Sequence, residues 1–176
     1  PHGKMGAALT AMKRVRPDKN ILTIAGDGGA YAIGLGETTS AALRNENVTM
    51  FVMNNTVFGM TGGQLAPTTM IGQKTASTPA GRNFVDNGEN TDVFKLMKGM
   101  DIAYLARTSV TSPANINRTK KAVRKAIEKQ QAGKGFSLVE VLVPCPTNWH
   151  MTPVDSMKHI DEVVSKVYEL GEVIDR

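Results

Sequence analysis

Apolar positions recur along this chain in two rhythms, one helical and one of short unbroken runs. Over residues 3–16, Met5, Ala8, Leu9, Met12 and Val15 fall on one helical face, and Pro17 stops the helix. A strand is expected at 21–25, where Ile21 to Ala25 form an apolar run. Ala32, Gly34, Gly36 and Ala41 mark a small-residue helix over about 31–44, able to lie close on a sheet. A second strand is expected at 48–53, from Val48 to Met53. Asp92 suits the N-cap of a short helix that turns Val93, Phe94, Leu96 and Met97 inward. A third strand follows at 102–106. Ser112 and Pro113 then open a helix that runs to about 131, ended by Gly133 and Gly135. The run 136–143 is apolar almost throughout, as in a strand buried on both faces of a parallel sheet. Met157, Ile160, Val163, Val164, Val167 and Leu170 return to helical spacing. This alternation predicts one doubly wound, mostly parallel α/β domain over 1–176, with 144–176 as a C-terminal extension.

Residues 54–91 carry neither rhythm. A loop of 38 residues is longer than a compact domain leaves idle, so it reads as a functional loop lying over a site. Its polar end, Gly81 to Asn90, is expected to be mobile or to order only against a partner.

Composition narrows the function classes. At 176 residues, 41% hydrophobic and 21% charged, the chain can bury a substantial core. The net charge is +5, but only 5% of residues are aromatic and the basic residues lie mainly on predicted helices. That argues against nucleic-acid binding, which wants clustered basic residues with stacking aromatics. The row Lys120, Lys121, Arg124, Lys125 and Lys129 reads as a solvated helix side. No apolar run approaches the roughly 18 residues of a membrane span, and no secretory signal is visible. One cysteine excludes an internal disulfide framework and suits a reducing cytoplasm. The chain opens at Pro1 in what looks like the first turn of a helix, so an N-terminally truncated product is expected.

The chemistry lies at the strand ends. The first strand runs into Gly26-Asp27-Gly28-Gly29, and the second runs into Asn54-Asn55. Between Gly28 and Asn54 lie 25 residues, enough for one crossover helix and the second strand. Parallel strands joined this way end at the same sheet edge, where open α/β folds hold their ligands. An Asp carboxylate and an Asn carbonyl brought together there offer hard oxygen ligands of the kind magnesium takes beside substrate phosphates. The glycines let the backbone approach a phosphate and aim N–H groups at it. Either motif alone is an ordinary turn. Together they read as a site for a metal-bound diphosphate.

Gly-Asp-Gly followed at this spacing by Asn-Asn resembles the signature of thiamine-diphosphate enzymes. The resemblance implies a thiamine-diphosphate-binding fold and Mg2+ held by Asp27, Asn55 and the carbonyl of Val57. The next segment, Phe58-Gly59-Met60-Thr61-Gly62-Gly63-Gln64-Leu65-Ala66-Pro67-Thr68-Thr69, is similar to the loop of 2-oxoacid:ferredoxin oxidoreductases that lies beside the diphosphate. Residues 135–142 and Pro144 to Trp149 also resemble that family, most of all β subunits of the 2-ketoisovalerate type. The implied cofactor contacts are Gly26, Asp27, Gly28, Gly29, Asn55, Thr61, Gly62, Gly63, Gln64 and His2.

The resemblance further implies oxidative decarboxylation of a 2-oxoacid with coenzyme A, giving acyl-CoA, CO2 and reduced ferredoxin. Implied partners are an α subunit with the pyrimidine-binding domain and its activating Glu, γ/δ-type subunits, and ferredoxin. Docking of ferredoxin on the basic helix row is the lesser reading of that row. Cys145 is implied as one ligand of a 4Fe–4S cluster in the full-length protein, where the other three ligands lie nearer the N-terminus. Two departures bear on the substrate: Gly29 stands where many relatives carry an acid, and His2-Gly3-Lys4 where many read His-Gly-Arg. A 2-oxoglutarate-specific member, a non-oxidative thiamine-diphosphate decarboxylase or synthase, and a flavodoxin-like nucleotide-binding module are the alternatives. His150 and His159 are expected to be structural and solvated.

Overall fold

The computed structural model describes residues 2–176, and its core is a five-stranded sheet. The strands are β1 (Leu22–Gly26), β2 (Thr49–Asn54), β5 (Tyr104–Ser109), β6 (Ser137–Leu142) and β7 (Gly171–Asp175), in the spatial order β1-β2-β6-β5-β7. The first four are parallel, and β7 pairs antiparallel with β5 at one edge. Helices α1 (Met5–Val15) and α2 (Leu35–Leu43) pack together, and the core that holds Leu9, Ala41 and Ala42 also takes in α4 (Val93–Met97). Helix α5 (Pro113–Gln131) presses Ala122 and Ala126 on Phe51, Tyr104 and Val139. A doubly wound, mostly parallel α/β domain is the result, as the alternation predicts.

Local signals account for the helix starts. The Ser112 hydroxyl accepts from the Asn115 N–H ahead of Pro113, and the Asp92 carboxylate accepts from the Phe94 N–H. All six residues of β6 are buried, so it is the central strand that its apolar run implies. The charged exception, Glu140, faces Arg107 and Tyr31.

Several expectations change in three dimensions. Helix α1 buries only Gly6 and Leu9, while Met12 and Val15 are 55% and 77% exposed. β1 is an edge strand, so among the described residues the far side of α1 has no neighbouring helix to cover it. Leu96 is likewise exposed, because α4 is too short to bury more than Val93, Phe94 and Met97. The small-residue helix begins as a π-helical turn at Gly29–Ile33 and becomes α-helical only after Gly34. The third strand lies at Tyr104–Ser109 and not at 102–106.

After the short turn α6 (Pro146–Trp149), the C-terminal helix is broken into α7 (Pro153–His159), a π-turn (Ile160–Val164) and α8 (Ser165–Val167). Ile160 and Val164 are buried, whereas Met157, Val163, Val167 and Leu170 are exposed. Strand β7 has no signal in the apolar pattern. It carries Glu172 and Asp175, which pair with Lys125 and Lys129 of α5 at 2.8–2.9 Å. The basic row is therefore partly neutralised by this chain's own acids.

Residues 54–91 are built, not slack. They contain the hairpin β3 (Val57–Phe58) and β4 (Gln64–Leu65), a bridge between Thr75 and Thr78, and the turn of helix α3 (Phe84–Asn87). Arg82, 6% exposed, organises the rest. Its guanidinium donates to the carbonyls of Ala66, Pro67, Thr69, Asn87, Gly88 and Glu89. The polar end expected to be mobile is thus tied to the middle of the loop by one buried side chain. Among the described residues no helix is long and apolar enough to cross a membrane.

Candidate metal centre

The ends of β1 and β2 lie side by side, with Gly26 paired to Met53. Asp27 follows at once and is 1% exposed. Burial pushes its carboxyl up to about 7, and the negative charge of Glu140 adds to that. The Thr68 hydroxyl, which donates to Asp27 Oδ2, and the Gly28 N–H work in the opposite direction. A carboxylate so buried, with no cationic side chain bonded to it, is one that a bound cation would compensate.

Asn55 completes the arrangement. One terminal atom of its side-chain amide lies 2.7 Å from the Val57 carbonyl oxygen and 3.1 Å from Asp27 Oδ1. With the amide nitrogen inward, Asn55 donates to both; with the oxygen inward, that oxygen lies beside both of the others. Magnesium–oxygen bonds of 2.0–2.1 Å imply an octahedral edge of roughly 2.9 Å, so the spacing fits. The donor set is all oxygen, as a hard divalent cation requires. Among the described residues no group of three His, Cys, Asp or Glu offers a rival metal site.

The convergence depends on Thr56, which takes φ +61°. A β-branched residue in the left-handed region costs of order 1–3 kcal/mol. Three bonds hold it there: its N–H donates to Asn54 Oδ1 at 3.0 Å, its carbonyl accepts from Thr69 Oγ1 at 2.5 Å, and its hydroxyl accepts from Gln73 at 2.8 Å. The Trp149 indole N–H donates to the Asn55 carbonyl at 3.1 Å, which fixes the peptide on the other side.

A cavity of about 500 Å³ opens in front of these oxygens. Its polar wall holds His2, Asp27, Asn55 and Thr61, with the backbone of Gly26, Gly28 and Gly29, and Phe58 contributes to its apolar wall. Gly28 has a steric reason, since a Cβ there would stand 2.2 Å from the Phe58 ring. Gly62, Gly63 and Gln64 do not line this cavity. The Gln64 amide is engaged with Thr61, accepting from its hydroxyl at 2.5 Å and donating to its carbonyl at 2.6 Å. Gly63 instead faces Asn148, whose Oδ1 would meet a Cβ at 2.8 Å.

Cys145 is close by. The Asn148 amide donates to its Sγ at 3.2 Å and to the Gly59 carbonyl at 3.3 Å, so the thiol packs against the loop that follows Asn55. His159 sits edge-on to Trp149, with ring centroids 5.2 Å apart, and is not a free surface group. Thr68, Asn148 and Trp149 support the site although motif reading gave them no role of their own. The signal they did carry was the likeness of their segments, Phe58 to Thr69 and Pro144 to Trp149, to family sequences.

The chain matches the family model described as thiamine pyrophosphate enzyme, C-terminal TPP binding domain, over residues 1–141. It is 37% identical over 176 residues to the ketoisovalerate oxidoreductase subunit VorA of Methanothermobacter thermautotrophicus, covering 99% of this chain and 37% of that one. It is 39% identical over 162 residues to the 2-oxoglutarate synthase subunit KorB of Archaeoglobus fulgidus, covering 92% of this chain and 56% of that one. The chain thus spans between about a third and three-fifths of the length of these relatives. Its fold matches the 2-oxoglutarate:ferredoxin oxidoreductase of Magnetococcus marinus with a TM-score of 0.77 at 22% identity, over 99% of this chain and 63% of that one. The family match sets aside the flavodoxin-like nucleotide-binding module. Both the strand-end oxygens and the sequence comparison lead to one assignment: this chain belongs to the thiamine pyrophosphate enzymes, as a C-terminal TPP-binding domain whose relatives are 2-oxoacid oxidoreductase subunits.

Proposed function

We propose that this chain is the diphosphate- and metal-binding part of a 2-oxoacid:ferredoxin oxidoreductase β subunit. The observation that supports it most directly is the convergence of Asp27, Asn55 and the Val57 carbonyl at 2.7–3.1 Å beside the cavity. In this reading those three groups hold Mg2+. Gly28 and Gly29, whose backbone lines the cavity, leave room for the diphosphate, and Thr61 and His2 border it. The single Asp27 charge anchors the cation, while two neutral oxygens leave positive charge over for the phosphates. When bound, thiamine diphosphate supplies the electron sink for decarboxylation. The chain's own part is to bind, orient and shield.

The substrate we favour is a branched-chain 2-oxoacid such as 2-ketoisovalerate, with 2-oxoglutarate second. Sequence similarity supports both, since a relative of each kind is 37% and 39% identical to this chain. Coenzyme A, ferredoxin, an α-type subunit carrying the pyrimidine-binding domain with the activating Glu, γ/δ-type subunits and a cytoplasmic setting belong to the same reading. Gly62, Gly63 and Gln64 shape the hairpin that carries Thr61. Cys145 can offer one thiolate, but a 4Fe–4S cube takes four. The residues of this chain therefore do not by themselves fit a cluster.

The test is calorimetry of thiamine diphosphate binding to the assembled protein with and without Mg2+, followed by turnover with 2-ketoisovalerate and 2-oxoglutarate. Metal-dependent binding and faster turnover of the branched substrate are expected. Metal-independent or absent binding would overturn the cofactor reading, and a preference for 2-oxoglutarate would overturn the substrate reading alone.

A further inference from the structure

Two adjacent threonines grip the two halves of the cradle. Thr68 donates its hydroxyl to Asp27 Oδ2, while its backbone carbonyl accepts from the Tyr168 hydroxyl at 2.7 Å. Thr69 donates its hydroxyl at 2.5 Å to the carbonyl of Thr56, the residue between Asn55 and Val57. Thr69 Oγ1 also accepts from the Ala66 N–H at 2.9 Å. Both threonines are buried, and so is Tyr168.

We propose that Thr68 and Thr69 form a clamp that presets the three-oxygen cradle for its divalent cation, with Tyr168 as the strut behind it. The clamp rests on the metal reading above and deepens it. Thr68 engages Oδ2 of Asp27 and so leaves Oδ1 turned toward Asn55 and the Val57 carbonyl. A hydroxyl donor holds the carboxylate without neutralising it, so the charge stays available for a cation. Thr69 restrains Thr56 in the left-handed conformation that swings Asn55 and Val57 to the same side. Tyr168 ties the clamp to the C-terminal helical segment, and its hydroxyl is itself fixed by the Asn90 amide at 3.0 Å. These are positioning residues: they touch the ligand-bearing groups and not the cation. Outer partners of this kind commonly change metal affinity by 10–100-fold when removed.

The experiment titrates Mn2+ into the assembled protein by electron paramagnetic resonance in the presence of thiamine diphosphate, with thermal unfolding measured separately in chelator. Thr68→Val and Thr69→Val are each expected to weaken Mn2+ binding by about 10–100-fold. Thr68→Ser, which keeps the hydroxyl, should restore affinity to near the unmodified value. A Thr68→Val protein with lowered thermal stability but unchanged Mn2+ affinity would overturn the clamp, leaving the hydroxyl a structural bond. If Thr68→Val does not fold, Tyr168→Phe is the milder probe, with an expected loss of about two- to tenfold, the worth of one hydrogen bond. Unchanged affinity in Tyr168→Phe would overturn the strut. Failure of the unmodified protein to bind Mn2+ at all would remove the metal reading, and the clamp with it, whereas normal binding with insensitive threonines removes the clamp alone.

Discussion

Arg107 of β5 and Glu140 of β6 are register partners, and the Arg107 Nε donates to Glu140 Oε1 at 2.5 Å in the middle of the sheet. The other arm of the guanidinium reaches the N-capping carboxylate of Asp92 at 2.6 Å, and its face lies 3.9 Å from the centre of the Phe94 ring. Tyr31, just beyond the Gly-Asp-Gly turn, donates to the second Glu140 oxygen at 2.8 Å. A single buried cation thus links β5, β6 and α4 and, through Glu140, the π-helical turn that follows Asp27. Removing it strands two carboxylates.

Arg107→Leu should therefore destabilise the fold by about 3–5 kcal/mol, the usual cost of breaking one partner out of a buried ion pair. Arg107→Leu combined with Glu140→Leu should recover part of that loss, because the double change leaves one stranded carboxylate in place of two. Urea unfolding of the single and double variants checks both statements. Equal losses in the two variants would show that side-chain shape, and not stranded charge, sets the cost.

Asp27→Ala should abolish Mg2+-dependent thiamine diphosphate binding, since it removes the one charged oxygen of the cradle. Asn55→Ala should weaken binding markedly while leaving some, because a water can take the place of a neutral ligand. Calorimetry at limiting Mg2+ separates the two. Wild-type affinity in both variants would place the cation elsewhere.

Arg82 makes a sharper prediction about the long loop. Its six carbonyl acceptors span residues 66–89, so Arg82→Met should loosen that whole stretch together while the sheet stays protected. Hydrogen exchange reads this directly. Loss of protection confined to the immediate neighbours of residue 82 would mean the loop is held by other contacts.

His159 supplies a pH dependence. Burial against Trp149 pushes its imidazole below the ordinary value of 6.5, with the nearby Glu162 charge working the other way. A proton then favours the unfolded chain, so the contribution of this residue is complete above about pH 6.5 and is lost as the pH falls through its folded value. His159→Gln should flatten the decline in unfolding midpoint between pH 7 and pH 5. A decline of equal steepness in that variant would assign it to other groups.

The elements that sequence periodicity placed well are those whose cause is local. Ser112 caps its helix through a residue three positions on, and β6 reveals itself by six consecutive buried residues. The Gly-Asp-Gly and Asn-Asn ends were legible for a similar reason: one crossover of 25 residues dictates that two parallel strands finish at the same edge. The helical rows misled where a helix meets the rim of the sheet, because spacing states which residues share a face and not whether anything covers it. Met12 and Val15 of α1 are the example.

By itself, then, the sequence determined the fold class, the strand ends and the meeting of Asp27 and Asn55 at one sheet edge. Tertiary structure alone decided what supports them. Thr68 meets Asp27 across 41 residues, and Tyr168 meets Thr68 across 100. Arg82 fastens a segment that has no periodicity to announce its order, and β7 hides behind the acids that pair with α5. The physical reason is common to all four. A cap or a strand end is set by backbone geometry within a few residues, whereas a buried hydroxyl or guanidinium finds its acceptor only after distant segments have packed.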